Sequence, residues 1–201
     1  MTMSSDPALD LATAYLRLNG YFLLTEQDLH VRDHDGYRSL TDIDIIAIRS
    51  PTAPGPAHHR QGLHVEECLI VTDSDPLLNV DPTRFDVIIG EVKTGGAAVN
   101  PSLRTAGALH AALRRTGDLY ATDLDVVVDQ LLADGDATTS TARVRLVAFG
   151  GHGHRATEFT VLLGHAARFI RSHLHGHRDL YRLTRFSDPV VAMLALFEKL
   201  G

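Results

Sequence analysis

The sequence predicts an α/β domain with a mixed central sheet flanked by helices. Three observations carry this. Short runs rich in β-branched residues stand at Asp42–Arg49, Phe85–Lys93, Ala142–Phe149 and Thr157–Leu163. Helical periodicity separates and follows them. The pairs Asp6-Pro7, Asn100-Pro101 and Asp188-Pro189 each set a capping side chain before a proline suited to a first helical position.

In chain order, Ala8, Leu11, Ala12, Tyr15 and Leu16 fall on one helical face, and Gly20 stands where a C-terminal cap belongs. Tyr21–Leu24 and Leu29–Arg32 read as one or two strands. The strands at Asp42–Arg49 and Phe85–Lys93 follow. A helix is predicted from Pro101, carried by Leu103, Ala106, Leu109 and Leu113 and ended by Gly117. Further helices are predicted at about Asp123–Ala133, about Gly164–His175 and Val190 to about Leu200. Between Ser50 and Arg84 lie Pro51, Pro54, Pro56, Pro76 and Pro82, with His58, His59 and His64 among them. Apart from a short strand at Cys68–Val71, this reads as a long surface loop. The whole, residues 1–201, reads as one domain with that Pro/His-rich insertion at about 50–84 and a helical, Arg/His-rich C-terminal part.

Composition excludes several classes. There is no apolar run long enough to span a membrane. The polar start, Met1 to Ala8, is not a signal peptide, and the single cysteine, Cys68, leaves no internal disulfide or thiolate metal cage. A cytoplasmic protein is expected. Net charge is −6, but it is unevenly spread. Residues 1–100 carry 15 acids against 7 Lys and Arg, whereas Arg143–Arg185 holds 8 Arg against Glu158 and Asp179. The second stretch is either a phosphate-contacting surface or a solvated helix face.

The strand Phe85–Lys93 is the most informative. Both its faces are apolar from Val87 to Val92 apart from Gly90 and Glu91, so it should be central and covered. Alternation puts Glu91 and Lys93 on one face near its C-terminal end. A charge there needs a partner or a metal. Asp42 and Asp44 likewise share a face just before the apolar run Ile45–Ile48. Placed beside Phe85–Lys93, this strand would set Asp44 next to Glu91. Two carboxylates so close repel unless a cation lies between them, and a hard cation taking oxygen ligands suits the pair. Lys93 is one of only two lysines among 19 basic residues. It brings a compact charge with a movable pKa that arginine lacks. Asp42 reads as a solvated strand-start residue rather than a second metal ligand.

Asp44 followed by Glu91-Val92-Lys93, in the order helix, strand, acid strand and ExK strand, resembles the PD-(D/E)xK phosphodiesterase superfamily, the restriction-endonuclease-like fold. The resemblance covers about residues 8–115 and extends to Ala14-Tyr15-Leu16, Asn19-Gly20-Tyr21, Asp42–Ala47 and Ile89–Thr94. It implies a restriction-endonuclease-like mixed central sheet and a metal-dependent endonuclease acting on DNA. Asp44, Glu91 and the Val92 carbonyl would bind Mg²⁺ or Mn²⁺, and Lys93 would orient or help deprotonate the attacking water. It also implies a homodimer in many relatives. Many of these carry an extra acid on the first helix. Asp10 is the nearest candidate here, but its helical position points away from the apolar face. The alternative is a catalytically inactive nucleic-acid-binding module, or a protein-interaction module of a bacterial defence or repair assembly.

The histidines His152 and His154, His173, His175 and His177, and His58-His59 have the look of metal clusters. Yet 151–155 reads as a turn, and 174–177 as a helix end where His suits the macrodipole. No carboxylate-plus-three-His spacing is present, and zinc is not the expected metal.

Overall fold

The described residues build a six-stranded mixed sheet with helices on both faces. The computed structural model describes residues 6–51, 73–153, 159–181, 186 and 188–200. Helix α1 (Pro7–Leu18) is capped by Asp6, whose side chain accepts from Ala8 N–H. It ends where Gly20 takes φ +82°. Strands β1 (Phe22–Asp33), β2 (Gly36–Arg49) and β3 (Phe85–Gly96) form an antiparallel meander. Helices α2 (Ala106–Arg115) and α3 (Leu124–Asp134) and strand β4 (Asp136–Thr138) lead to β5 (Ala142–His152), which lies parallel to β3. β4 and β6 (Phe159–Leu162) share the far edge of β5, the first antiparallel and the second parallel to it. Helices α4 (Leu163–Gly176), α5 (Arg178–Tyr181) and α6 (Pro189–Leu200) follow.

The core lies in two layers. α2 and α3 bury Leu109, Leu113, Val127 and Leu131 against Val87, Ile89, Val144 and Leu146. α1, α4 and α6 bury Tyr15, Leu16, Ile170 and Val191 against Ile45, Ile88, Val147 and Phe149. The β3 side chains alternate between these layers, which is why its sequence is apolar on both faces.

Several predicted elements shift. The stretches Tyr21–Leu24 and Leu29–Arg32 form one strand, interrupted at Glu26, which takes φ +52°. β2 begins six residues before Asp42, because Asp33 and Gly36 close a tight hairpin. The helix predicted from Pro101 starts instead at Ala106, capped by Thr105. Asn100 Oδ1 accepts from Ser102 N–H and Asn100 O from Leu103 N–H, so the asparagine closes a turn rather than a helix. The stretch expected as a surface loop is not one at its C-terminal end, where Asp75 and Leu78 are buried around a short 3₁₀ turn (Pro76–Leu78). The Cys68–Val71 strand and His58, His59 and His64 lie outside the described residues. None of the described helices is long and apolar enough to cross a membrane.

The Arg-rich segment is not one helix face. Arg145 is buried on β5, with Nη2 at 2.8 Å from both Asp86 carboxylate oxygens and Nη1 at 2.8 Å from Leu78 O. Its guanidinium also lies 5.0 Å from the Phe159 ring centroid, in the range of a cation–π contact. Arg143 pairs with Asp136 and Arg171 with Glu198. Among the described arginines of this stretch, Arg143, Arg145 and Arg171 thus serve acids of the same chain.

A candidate metal centre where two strands part

β2 and β3 pair from Arg49↔Asp86 to Ile45↔Gly90 and no further. Beyond that point β2 stays with β1, and β3 stays with β5. The register continued by one step sets Asp44 opposite Glu91, at the fork. Asp44 Oδ2 accepts the Val92 N–H at 2.7 Å, so a side chain satisfies a backbone donor that the β2–β3 ladder no longer serves. Strict alternation in β2 breaks once, across Asp44: Ile43 and Ile46 pack on the α2–α3 side, Ile45 and Ala47 on the α1–α4 side. Glu26, opposite Asp44 by the β1–β2 register, has the left-handed φ at the same level. Such a conformation costs on the order of 1–3 kcal/mol and tends to collect at functional sites.

The cleft at the fork is lined by Asp6, Leu9, Glu26, Asp28, Asp42, Asp44 and Val92, with a volume of about 290 Å³. Liquid water takes roughly 30 Å³ per molecule, so a hydrated ion fits. Glu91 on β3, 8% exposed, feels the charges of Asp44 and Asp42, and Lys93 Nζ stands 3.5 Å from Glu91 Oε1. The structure thus brings Asp44, Glu91, Val92 and Lys93 to one place. What it gives directly for Val92 is an N–H donated to Asp44 and a position on the cleft wall. Asp42 is exposed and lines the same cleft, well inside β2 rather than at its start.

Three acids escaped the sequence reading. The acid that α1 contributes is its cap, Asp6, and not Asp10; the Asp6-Pro7 pair was legible as a cap but not as a cleft wall. Glu26 and Asp28 are the others, and the gap between the two strand-like stretches around them was the available signal. Outside this site, Asp73 comes from the insertion to meet His173 and His177, a meeting that spacing along the chain cannot show.

Electrostatics follow from this crowding. Burial first, then the neighbouring Asp44 carboxylate, push Glu91 from its ordinary value up to about 7, against the pull of Lys93. Burial also raises Asp44, opposed by the Val92 N–H. Five acids line the cleft, and the charges of Glu91 and Lys93 on β3 couple to it through Asp44; a divalent cation is the group that relieves such a set.

A carboxyl group whose folded pKa lies above its unfolded value loses stability for the fold as pH rises between the two. Glu91→Gln should therefore stabilise the metal-free protein at pH 8 by ~2 kcal/mol, or about 5 °C in Tm. The gain should vanish below pH 4.5, the ordinary value for this carboxyl. Thermal melts in chelator at the two pH values check this. An equal Tm at pH 8 would show that Glu91 bears no charge stress.

No protein-family model matches the chain, and neither characterised proteins nor solved structures give a significant match.

Proposed function

We propose that this chain is a metal-dependent phosphodiesterase of the restriction-endonuclease-like kind, an endonuclease that hydrolyses DNA. The observation that carries this reading is the Asp44 carboxylate bonded to the Val92 N–H at the β2–β3 fork, one register step from Glu91, with Lys93 against Glu91. The order of helix, antiparallel meander, helices and a strand parallel to β3 supports it.

Asp44, Glu91 and the Val92 carbonyl would hold Mg²⁺ or Mn²⁺, which when bound supplies a Lewis acid at the phosphoryl oxygen. The chain's own groups do the rest. Asp44 is fixed by the Val92 N–H, so its second oxygen is left for the cleft. Glu91 is held near neutral pKa and is readily deprotonated by an incoming cation. Lys93, 40% exposed at the side chain, is free to swing from Glu91 toward a water in the cleft and hold or take its proton.

The test is cleavage of plasmid and branched DNA by purified protein with Mn²⁺, beside Asp44→Ala and a chelator. Cutting by the wild type that both controls abolish is the expected result. An inert wild type on every substrate overturns the reading.

A second reading keeps the fold without catalysis, as a nucleic-acid-binding or protein-interaction module. The 3.5 Å Lys93–Glu91 contact favours it, since that pair alone satisfies the lysine. Salt-sensitive DNA binding indifferent to chelator would be its mark.

A further inference from the structure

The segment Asp73-Ser74-Asp75 runs past α4, and its two carboxylates meet histidines of that helix in different ways. Asp75 is closed by the protein. Its Oδ2 accepts from Tyr15 Oη at 2.8 Å and lies 2.5 Å from His165 Nε2, while Oδ1 accepts from Leu77 N–H. Among the described residues, Asp73 meets no such set of fixed donors. Its Oδ2 lies 2.7 Å from His173 Nδ1 and its Oδ1 3.4 Å from His177 Nε2. His173 and His177 are four residues apart, one turn of helix, with ring centroids 4.7 Å from each other. The three ligand-type atoms lie within 4.8 Å of one another.

We infer that Asp73, His173 and His177 form a binding site for a divalent transition ion of the zinc class, separate from the acidic cleft. Two imidazoles and one carboxylate are a common zinc ligand set, and they leave a fourth position for water. Ligand atoms about a tetrahedral zinc stand about 3.3 Å apart, given bonds of about 2.0–2.1 Å. Asp73 reaches the two histidines through different oxygens, Oδ1 at 3.4 Å from His177 and Oδ2 at 2.7 Å from His173, so a carboxylate turn and small ring shifts bring the set, already within 4.8 Å, to zinc distances.

The surroundings supply what such a site needs. The His173 ring is fully buried, with Nε2 at 2.7 Å from Tyr181 Oη. With Nε2–H donating to Tyr181, the Nδ1 lone pair faces Asp73, the outer hydrogen bond by which metal-binding histidines are commonly oriented. In the metal-free protein a proton on Nδ1 fills the gap and Tyr181 donates to Nε2. The metal replaces that proton. Asp73 and His177 are each partly exposed, so the ion has an entry path. Asp73 N–H also bonds Leu18 O at the end of α1. The ion would therefore clip the last turn of α4 to residue 73 and, through it, to α1.

Chelator-stripped protein is dialysed against Zn²⁺, and bound metal is counted. One zinc per chain is expected in the wild type, lost in both Asp73→Asn and His177→Ala. Tyr181→Phe should keep the ion with affinity weakened roughly tenfold. Co²⁺ in place of zinc should give the visible bands of a tetrahedral ion, absent in the same two variants. Asp44→Asn should leave stoichiometry and spectrum unchanged, which separates this site from the cleft and from the fate of the nuclease reading. No zinc in the wild type, or zinc and Co²⁺ bands retained in both ligand variants, overturns the inference.

Discussion

Arg145→Ala should cost the fold about 3–5 kcal/mol, because it strands a buried carboxylate. Asp86 and Arg145 are each 1% exposed, one on β3 and one on β5. Burial raises Asp86, and two 2.8 Å bonds from Arg145 hold it ionised. Domains of this size hold roughly 5–15 kcal/mol in all, so the loss is a large share. Denaturant midpoints at pH 7 measure it. In the variant the folded pKa of Asp86 rises further above its unfolded value, so the deficit should grow with rising pH and shrink in acid. The double change Asp86→Leu with Arg145→Met should recover most of the loss, since an apolar pair of similar volume is often no less stable. A single-variant loss below 1 kcal/mol would mean that water reaches the carboxylate.

Lys93→Met should lower the rate of DNA cleavage by about 10²–10⁴-fold, the range for a positioned proton-transfer group. Mn²⁺ binding should survive or tighten, since a positive charge beside Glu91 is gone. Asp44→Ala should lose metal and cleavage together. Single-turnover kinetics beside Mn²⁺ titration separate the two outcomes. Cleavage within threefold of wild type in Lys93→Met would remove the lysine from the chemistry and leave it as the counter-ion of Glu91.

The strands that build the fork were legible because their composition is determined by burial. Val87 to Val92 is covered on both faces, and only such a strand tolerates so few polar residues. Glu91 within that run and Lys93 just past it stood out for the same reason. The helices at Asp6-Pro7 and Asp188-Pro189 announced themselves by side chains that cap them. Asn100-Pro101 carried the same signal and made a turn, because a cap and a proline also suit a turn. Arg145 was misplaced as surface because nothing local distinguishes a buried arginine; its partner lies 59 residues away. The Asp73–His173 contact spans 100 residues and was hidden likewise. Glu26 was signalled only by the gap between two strand-like stretches, because its place depends on a backbone angle rather than on side-chain type.

That angle has a second effect at the rim of the sheet. β1 is the outermost strand, and among the described residues nothing pairs with its outer edge. A long flat edge is a template on which another chain can add a strand. The left-handed residue at Glu26 turns one peptide out of that row, and a register shift between Leu29 and His30 interrupts it again. Phe22 and Leu24, both exposed, are thereby cut off from the rest of the edge after only a few residues. The distortion beside the cleft also breaks the edge into short lengths, which disfavours strand addition by another chain.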